Sequence, residues 1–189
     1  VGSFSQGLAY VKTDKGFFNY LDTNGRIVIS KKYTAAGDFN QGLAKVQFEG
    51  KFGFINTKGD MVLDFLFNNA TDFAENRAFI EGPTRLYGLI IKNGKHLTYD
   101  KFVAPKNYSN GFALTSNAQK KFYFIDTNGV NAFEKLTFDL GYSFENGVAR
   151  VKRKKWGLLN AKGDIVLDFK YDYLSEFTED GQAIVASYG

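Results

Sequence analysis

Lys152, Arg153, Lys154 and Lys155 form one run directly before Trp156, the single tryptophan of the chain. Four cations beside a flat indole, with Tyr123 as a second ring, suit an anion: phosphate, an acidic polysaccharide or an acidic partner protein, held by charge and stacking. The plainer reading is a solvated hairpin tip, because Gln119-Lys120-Lys121 and Glu49-Gly50-Lys51 stand at the matching place elsewhere in the chain. A second candidate is acidic. Asp64, Glu134 and Asp168 each fall five residues after a turn glycine, a spacing that would build an oxygen ladder for a hard cation if register aligned them. Against it stands the polar face of a strand. The one histidine, His96, follows an Asn-Gly turn, and a soft metal site would need further His or Cys partners that the sequence lacks. His96 therefore reads as a solvated strand residue. With no cysteine and no second imidazole, nucleophile-and-base pairs shrink to lysine and carboxylate combinations, none at a recognisable spacing. The chain reads as a non-enzyme with no catalytic, cofactor-binding or metal residues, and with no cofactor.

What would position these side chains is a repeat. Phe4-Ser-Gln-Gly-Leu-Ala-Tyr-Val11 and Phe39-Asn-Gln-Gly-Leu-Ala-Lys-Val46 are near copies, and related stretches begin at Phe73, Tyr108 and Phe144. A sixth copy, with one extra residue before its alanine, begins at Phe177. Two more signals keep the same period of about 35 residues in other phases. The first is an aromatic at Phe18, Phe52, Tyr87, Phe122 or Trp156 followed by a turn ending at Gly25, Gly59, Gly94, Gly129 or Gly163. The second is a ring at Tyr33, Phe67, Phe102, Phe138 or Tyr171. Three phased signals define one array over residues 1–189, with units starting near 4, 39, 73, 108, 144 and 177.

Each unit reads as β-structure. In the second, Leu43 to Phe48 alternates with period two, Glu49-Gly50-Lys51 interrupts, and Phe52 to Asn56 alternates again, which predicts a hairpin. Asn-Thr-Lys-Gly at 56–59, repeated as Asp-Thr-Asn-Gly at 22–25 and 126–129, places an Asx carbonyl to accept from the backbone two residues on. Its glycine then suits the positive φ that closes a type I turn with a bulge. A third strand from Met61 completes a three-stranded antiparallel meander. The apolar side chains of one such unit do not offset the entropy of ordering it, so neighbours must share a core. Small residues at Ala9, Ala44, Ala78, Ala113, Ala149 and Ala183 then allow close approach. Gly53, Gly88 and Gly157 leave room for a ring packed across the face, whereas Asn19 and Tyr123 depart from that rule. Phe17, Phe79, Phe133 and Tyr173 do not recur in phase and are expected at the surface.

Apolar residues at 44% and aromatics at 17% support a packed core, and a net charge of +4 spread along the chain argues only weakly for an anionic partner. No apolar run approaches the roughly 18 residues of a membrane span, so neither membrane insertion nor nucleic-acid binding is expected. The start Val-Gly-Ser-Phe-Ser-Gln has neither an initiator methionine nor a signal-peptide core, and the chain is expected to be a mature or trimmed piece of something longer.

Lys155-Trp156-Gly157, the following Leu-Leu-Asn-Ala-Lys-Gly and the recurring Phe-x-x-Gly-Leu-Ala-x-Val resemble the WG repeat, also described as KWG, over Phe4 to Val185. Tryptophan holds the signature position once; Phe18, Phe52, Tyr87 and Phe122 hold it elsewhere. The resemblance implies an all-β bacterial repeat module, often secreted or in the envelope, used for interaction and bringing no site residues with it. The expected architecture is stacked meanders in a twisted open array with a leading strand at the C-terminal end; a closed small propeller-like ring is the alternative. The expected function is a non-catalytic protein-binding scaffold, an accessory of an extracytoplasmic bacterial assembly. Carbohydrate or cell-wall polymer binding through Trp156, Tyr123 and the basic run is the alternative.

Overall fold

The computed structural model describes residues 1–188, and among them alternating apolar residues and phased turns produce a chain of small antiparallel sheets with no helix. It divides into two compact units, Val1–Lys101 and the part from Phe102 onward. The first unit holds β1 (Leu8–Lys12), β2 (Phe18–Asp22) and β3 (Ile27–Tyr33) in one sheet. Its next sheet comprises β4 (Ala35–Ala36), β5 (Leu43–Phe48), β6 (Lys51–Asn56) and β7 (Met61–Phe67). A third sheet comprises β8 (Asn69–Ala70), β9 (Arg77–Glu81), β10 (Tyr87–Ile91) and β11 (His96–Phe102). In the second unit, β12 (Ala113–Ser116) pairs with β13 (Phe122–Ile125). There follow β14 (Leu140–Gly141), β15 (Val148–Arg153), β16 (Lys155–Asn160) and β17 (Ile165–Tyr171) in one sheet, then β18 (Tyr173–Leu174) paired with β19 (Val185–Ala186).

The repeated meander therefore exists, and three copies add a two-residue strand, β4, β8 or β14, at the sheet edge beside the first long strand. Four-stranded meanders are the blade unit of propellers. Such short strands escape a sequence reading because two residues carry no periodicity. The fourth repeat differs in the opposite sense. Among the described residues its third segment pairs through the isolated bridges Ile125↔Asn131 and Phe122↔Phe138 and forms no strand. The Asn131 side-chain carbonyl accepts from Phe133 N–H at 3.1 Å, an Asx turn within that segment.

Both phased turns have a physical cause. At the opening motif Asn40 and Leu43 exchange N–H···O bonds of 2.8 and 3.1 Å, with φ of +53° at Gln41 and +84° at Gly42. Positive φ at both central residues is the type I′ hairpin turn, which matches the twist of its strands. The same pair of positive angles recurs at Gln6-Gly7, Glu75-Asn76, Asn110-Gly111 and Asn146-Gly147. The sixth copy, with its inserted residue, closes from Thr178 N–H to Gln182 O at 2.8 Å and has only Gly181 at positive φ, so the insertion changes the turn type. At the second turn Asp22 Oδ1 accepts from both Asn24 and Arg26 N–H at 2.9 Å, and Asn56, Asp126 and Asn160 repeat this two-donor cap.

Repeats interlock through the opening aromatic. Phe39 meets Tyr20 of the preceding repeat at 4.9 Å between ring centres, Phe73 meets Phe54 at 4.8 Å, and Phe144 meets Phe124 at 4.9 Å. The buried clusters follow suit, one mixing Tyr20 and Tyr33 with Ala44 and Ile55, another Phe54 with Ala78 and Ile90, a third Phe124 and Phe138 with Ala149 and Leu159. Ala9, Ala44, Ala78, Ala113 and Ala149 are fully enclosed, as their small size demands. Phe79 and Phe133, expected at the surface, are buried. Phe133 is in fact in phase: Ile29 packs on Gly59, Leu63 on Gly94, and Phe133 on Gly163, each the turn glycine of the next repeat.

Candidate functional site

The basic run occupies the β15–β16 hairpin, with Lys154 at the tip at φ +60°. Local contacts employ most of its charge. Lys155 Nζ lies 2.6 Å from Asp172, Lys154 N–H donates to Asp139 at 2.8 Å, and Arg153 Nε donates to Thr137 O at 2.8 Å. The Arg153 guanidinium also lies over Phe138 and Phe169 at 5.1 and 5.4 Å. Asp139 is held below the usual carboxylate range by Lys121 and by Lys154 N–H, and Asp172 by Lys155 and by Tyr188 N–H.

Trp156 is not an open platform. It is buried, stacked on Tyr142 at 5.8 Å and 22°, with Lys152 Nζ 5.4 Å from its centre and Arg150 4.3 Å over the far ring. Tyr123 sits on β13 opposite Thr115, half-buried, and burial pushes its hydroxyl pKa up. Among the described residues no ring contact joins Tyr123 to Trp156. The structure does not bring these two rings together beside Lys152–Lys155; the indole is buried and stacked on Tyr142 instead.

The more informative geometry surrounds the glycine after each signature aromatic. A Cβ on Gly53 would lie 2.7 Å from Leu63 O and 2.8 Å from the Phe65 ring. One on Gly157 would lie 2.5 Å from Leu167 O and 3.0 Å from the Phe169 ring. The third strand bulges here, with register shifts between Phe52 and Phe54 and between Trp156 and Leu158, and its extra residues drape a ring over the glycine. Phe65 rests on Phe48 at 5.5 Å and Tyr33 at 6.3 Å; Phe169 rests on Phe138 at 6.4 Å and under Arg153. In the third repeat Gly88 holds the same place, and a Cβ there would lie 2.8 Å from Thr98 O, but the ring's position is taken by Asp100 and that of Phe48 by Gly82. An open socket of about 270 Å³ results, lined by Phe67, Gly82, Gly88, His96, Tyr99 and Asp100. In the first repeat Asn19, Lys31 and Thr13 hold the three positions and line a larger, lysine-rimmed hollow of about 500 Å³ with Lys15 and Lys32. There the Asn19 side chain accepts from Lys31 N–H at 3.2 Å, closing the bulge that glycine closes elsewhere.

A family model for the WG containing repeat matches residues 20–52, 52–81, 124–155 and 156–186, most of the chain. The protein belongs to the WG-repeat family. Among solved structures it is similar to BamB from Moraxella catarrhalis at 12% identity and a TM-score of 0.51, over 98% of this chain and 68% of that one. Kluyvelomyces marxianus Hsv2 is similar at 10% identity and a TM-score of 0.54, over 82% of this chain and 60% of that one, so the chain spans less than two thirds of Hsv2. At such identities the likeness is one of fold. No curated protein matches the chain.

WG-repeat phasing also explains charges that the sequence left unassigned. Lys45–Asp72 at 3.7 Å and Arg150–Glu176 at 3.3 Å occupy equivalent positions, a first-strand cation paired with the acid just before the next repeat's opening aromatic. The signal was present as phased charges, but at a separation of 26 or 27 residues only the repeat geometry reveals it. Asp64 and Asp168 lie exposed on outer strands and Glu134 in the irregular fourth repeat; among the described residues no group of three or more His, Cys, Asp or Glu could hold a metal. His96 is not fully solvated. Its ring stacks on Tyr99 at 4.4 Å and 9°, and its Nδ1 is buried without a hydrogen-bond partner.

Proposed function

We propose that this WG-repeat chain is a non-catalytic protein-binding module, an accessory of a bacterial extracytoplasmic assembly. The observation that carries this reading is an exposed apolar residue that recurs outside the core at one repeat position. Val28, Val62 and Val166 hold one repeat position at the start of β3, β7 and β17, and are 50%, 41% and 53% exposed. Ile27, Met61 and Leu66 are further exposed apolar residues of the first unit. Each of these strands ends its sheet with one edge unpaired. Exposed apolar residues along a strand edge serve recognition of another polypeptide, since isolated monomers avoid them. The family's use in interaction and its frequent envelope setting support the rest. The carbohydrate alternative would need a platform other than Trp156, which is buried and stacked on Tyr142.

The test is affinity purification of the tagged protein at native level beside a Val62→Asp, Val166→Asp variant of unchanged circular dichroism. A partner recovered with the wild type and lost with the variant supports the reading. Equal recovery from both, or saturable glycan binding in its place, refutes it.

A further inference from the structure

We infer that a cavity of the second unit, walled by Leu114, Phe122 and Tyr142 and lined by the Arg150 guanidinium, binds a small organic monocarboxylate with an apolar body. The site does not involve the exposed valines and does not depend on the protein-binding reading.

The cavity opens where the phased ion pair is missing. In the second repeat that pair is Lys45 with Asp72, and in the fifth Arg150 with Glu176. In the fourth repeat Leu114 stands at the cation's position and Ser143 at the acid's, and both line a space of about 510 Å³. Tyr142, where the second and third repeats have Gly37 and Thr71, adds an aromatic wall.

The cation of the fifth repeat borders this space with hydrogen-bonding capacity to spare. The Lys45 ammonium is well used, donating to Ala70 O at 2.7 Å besides facing Asp72 at 3.7 Å. Arg150 replaces it with a side chain only 7% exposed, yet among the described residues its one hydrogen bond is from Nη2 to Glu176 at 3.3 Å. Leu174 O, which matches Ala70 O, does not accept from it. Nε and Nη1 thus have no protein acceptor, and unlike His96 Nδ1 neither is sealed inside the protein. The Tyr142 ring, 4.3 Å away, covers the guanidinium's face and leaves its edge donors free. A guanidinium taken out of water with donors unused is costly, and an acceptor in the cavity that Arg150 lines relieves that cost.

Charge selects the headgroup. Lys106 and Arg150 are balanced by Glu145 and Glu176 around the cavity, which disfavours a polyanion and favours one negative charge held by directional bonds. Glu176 competes weakly for the guanidinium, since its side chain is 83% exposed and its contact is single and long. A carboxylate within the cavity forms paired N–H···O bonds instead. The walls select the rest of the ligand. The volume falls within the roughly 300–1,000 Å³ of small-molecule sites, and Ala104, Leu114, Phe122 and Leu140 present hydrocarbon.

The experiment titrates the 189-residue chain with 3-phenylpropionate and, separately, with its amide and with 3-phenylpropylamine, following amide and guanidinium signals by NMR. Saturable shifts at Gly141, Ser143 and Arg150 Nε–H are expected, with the acid bound about tenfold or more tightly than the amide. Arg150→Lys installs the residue that the second repeat carries at this position, and should weaken the acid about tenfold because an ammonium lacks the planar fork. Should that variant fold poorly, Glu176→Gln decides alone: loss of the exposed competing carboxylate should tighten the acid several-fold. Absence of saturable shifts, shifts centred on Lys15 and Lys31, an amide or amine that binds as tightly as the acid, or unchanged or weaker binding in Glu176→Gln overturns the inference. The tripeptide Ala-Ala-Phe carries the same headgroup and ring; if it binds more tightly than 3-phenylpropionate, the ligand is a polypeptide terminus and the assignment to a free small acid falls.

Discussion

Gly157→Ala tests the packing logic most directly. The new Cβ would lie 2.5 Å from Leu167 O and 3.0 and 3.2 Å from two atoms of Phe169, where ordinary C···O contacts begin at about 3.3 Å, an overlap of about 0.8 Å. Phe169 can turn aside. Leu167 O cannot, because Leu158 and Leu167 are paired across β16 and β17 and the carbonyl moves only with the strand. Over-packing costs about 1–3 kcal/mol, and a backbone obstacle argues for the upper end; the stiffer unfolded chain returns about 0.4–1 kcal/mol, leaving a loss of about 2 kcal/mol. For a chain of this length that lowers the melting temperature by about 4–8 °C. Urea denaturation followed by Trp156 fluorescence reads the effect beside the altered residue. The midpoint should fall with an unchanged slope, and adding Phe169→Ala should not rescue it. A midpoint equal to or above wild type, or rescue by Phe169→Ala beyond additivity, would refute the claim that a backbone carbonyl enforces glycine here.

Phe73→Ala removes an opening aromatic wedged against Phe54 and should cost about 3–5 kcal/mol, while Phe4→Ala, at an exposed copy of the same motif position, should stay within about 0.5 kcal/mol; paired urea melts decide. Burial, and then the neighbouring Tyr33 and Asp38, push the Tyr20 hydroxyl pKa well above its ordinary value, while that hydroxyl donates to Gly37 O at 2.8 Å. A raised folded-state pKa means the stabilisation is complete below about pH 10 and is lost as pH rises toward the folded value, so Tyr20→Phe should flatten the alkaline decline in melting temperature. Asp172 is held low chiefly by Lys155, so its contribution is present above the ordinary carboxylate range and lost as pH falls through the lowered value. An NMR titration should show its midpoint rising toward about 3.9 in Lys155→Ala.

Much of this fold is written locally. The type I′ turns need only two residues that tolerate positive φ, and the Asx caps need only a short carbonyl and a glycine, so the repeat period, the hairpins and the shared alanines were legible from residue types. So was the need for a ring over Gly53 and Gly157, although not which residue supplies it. Phe65 and Phe169 reach those glycines only because the third strand bulges, and a bulge shifts register without any mark that period-two alternation reveals.

The candidate site was less legible because exposure is a property of the assembled neighbours. Trp156 and the Lys152–Lys155 run look like a binding surface in one dimension, yet the indole is enclosed by Tyr142 and the charges meet acids 15 to 17 residues away in sequence. Conversely, the socket beside Gly88 arises from two losses, at Gly82 and Asp100, that are unremarkable singly and adjacent only after β9, β10 and β11 pair. Sequence by itself determined the repeating backbone, since turn and strand preferences act over a few residues. Which side chains remain free to meet another molecule was decided only by tertiary packing, since burial depends on what every neighbouring repeat leaves unfilled.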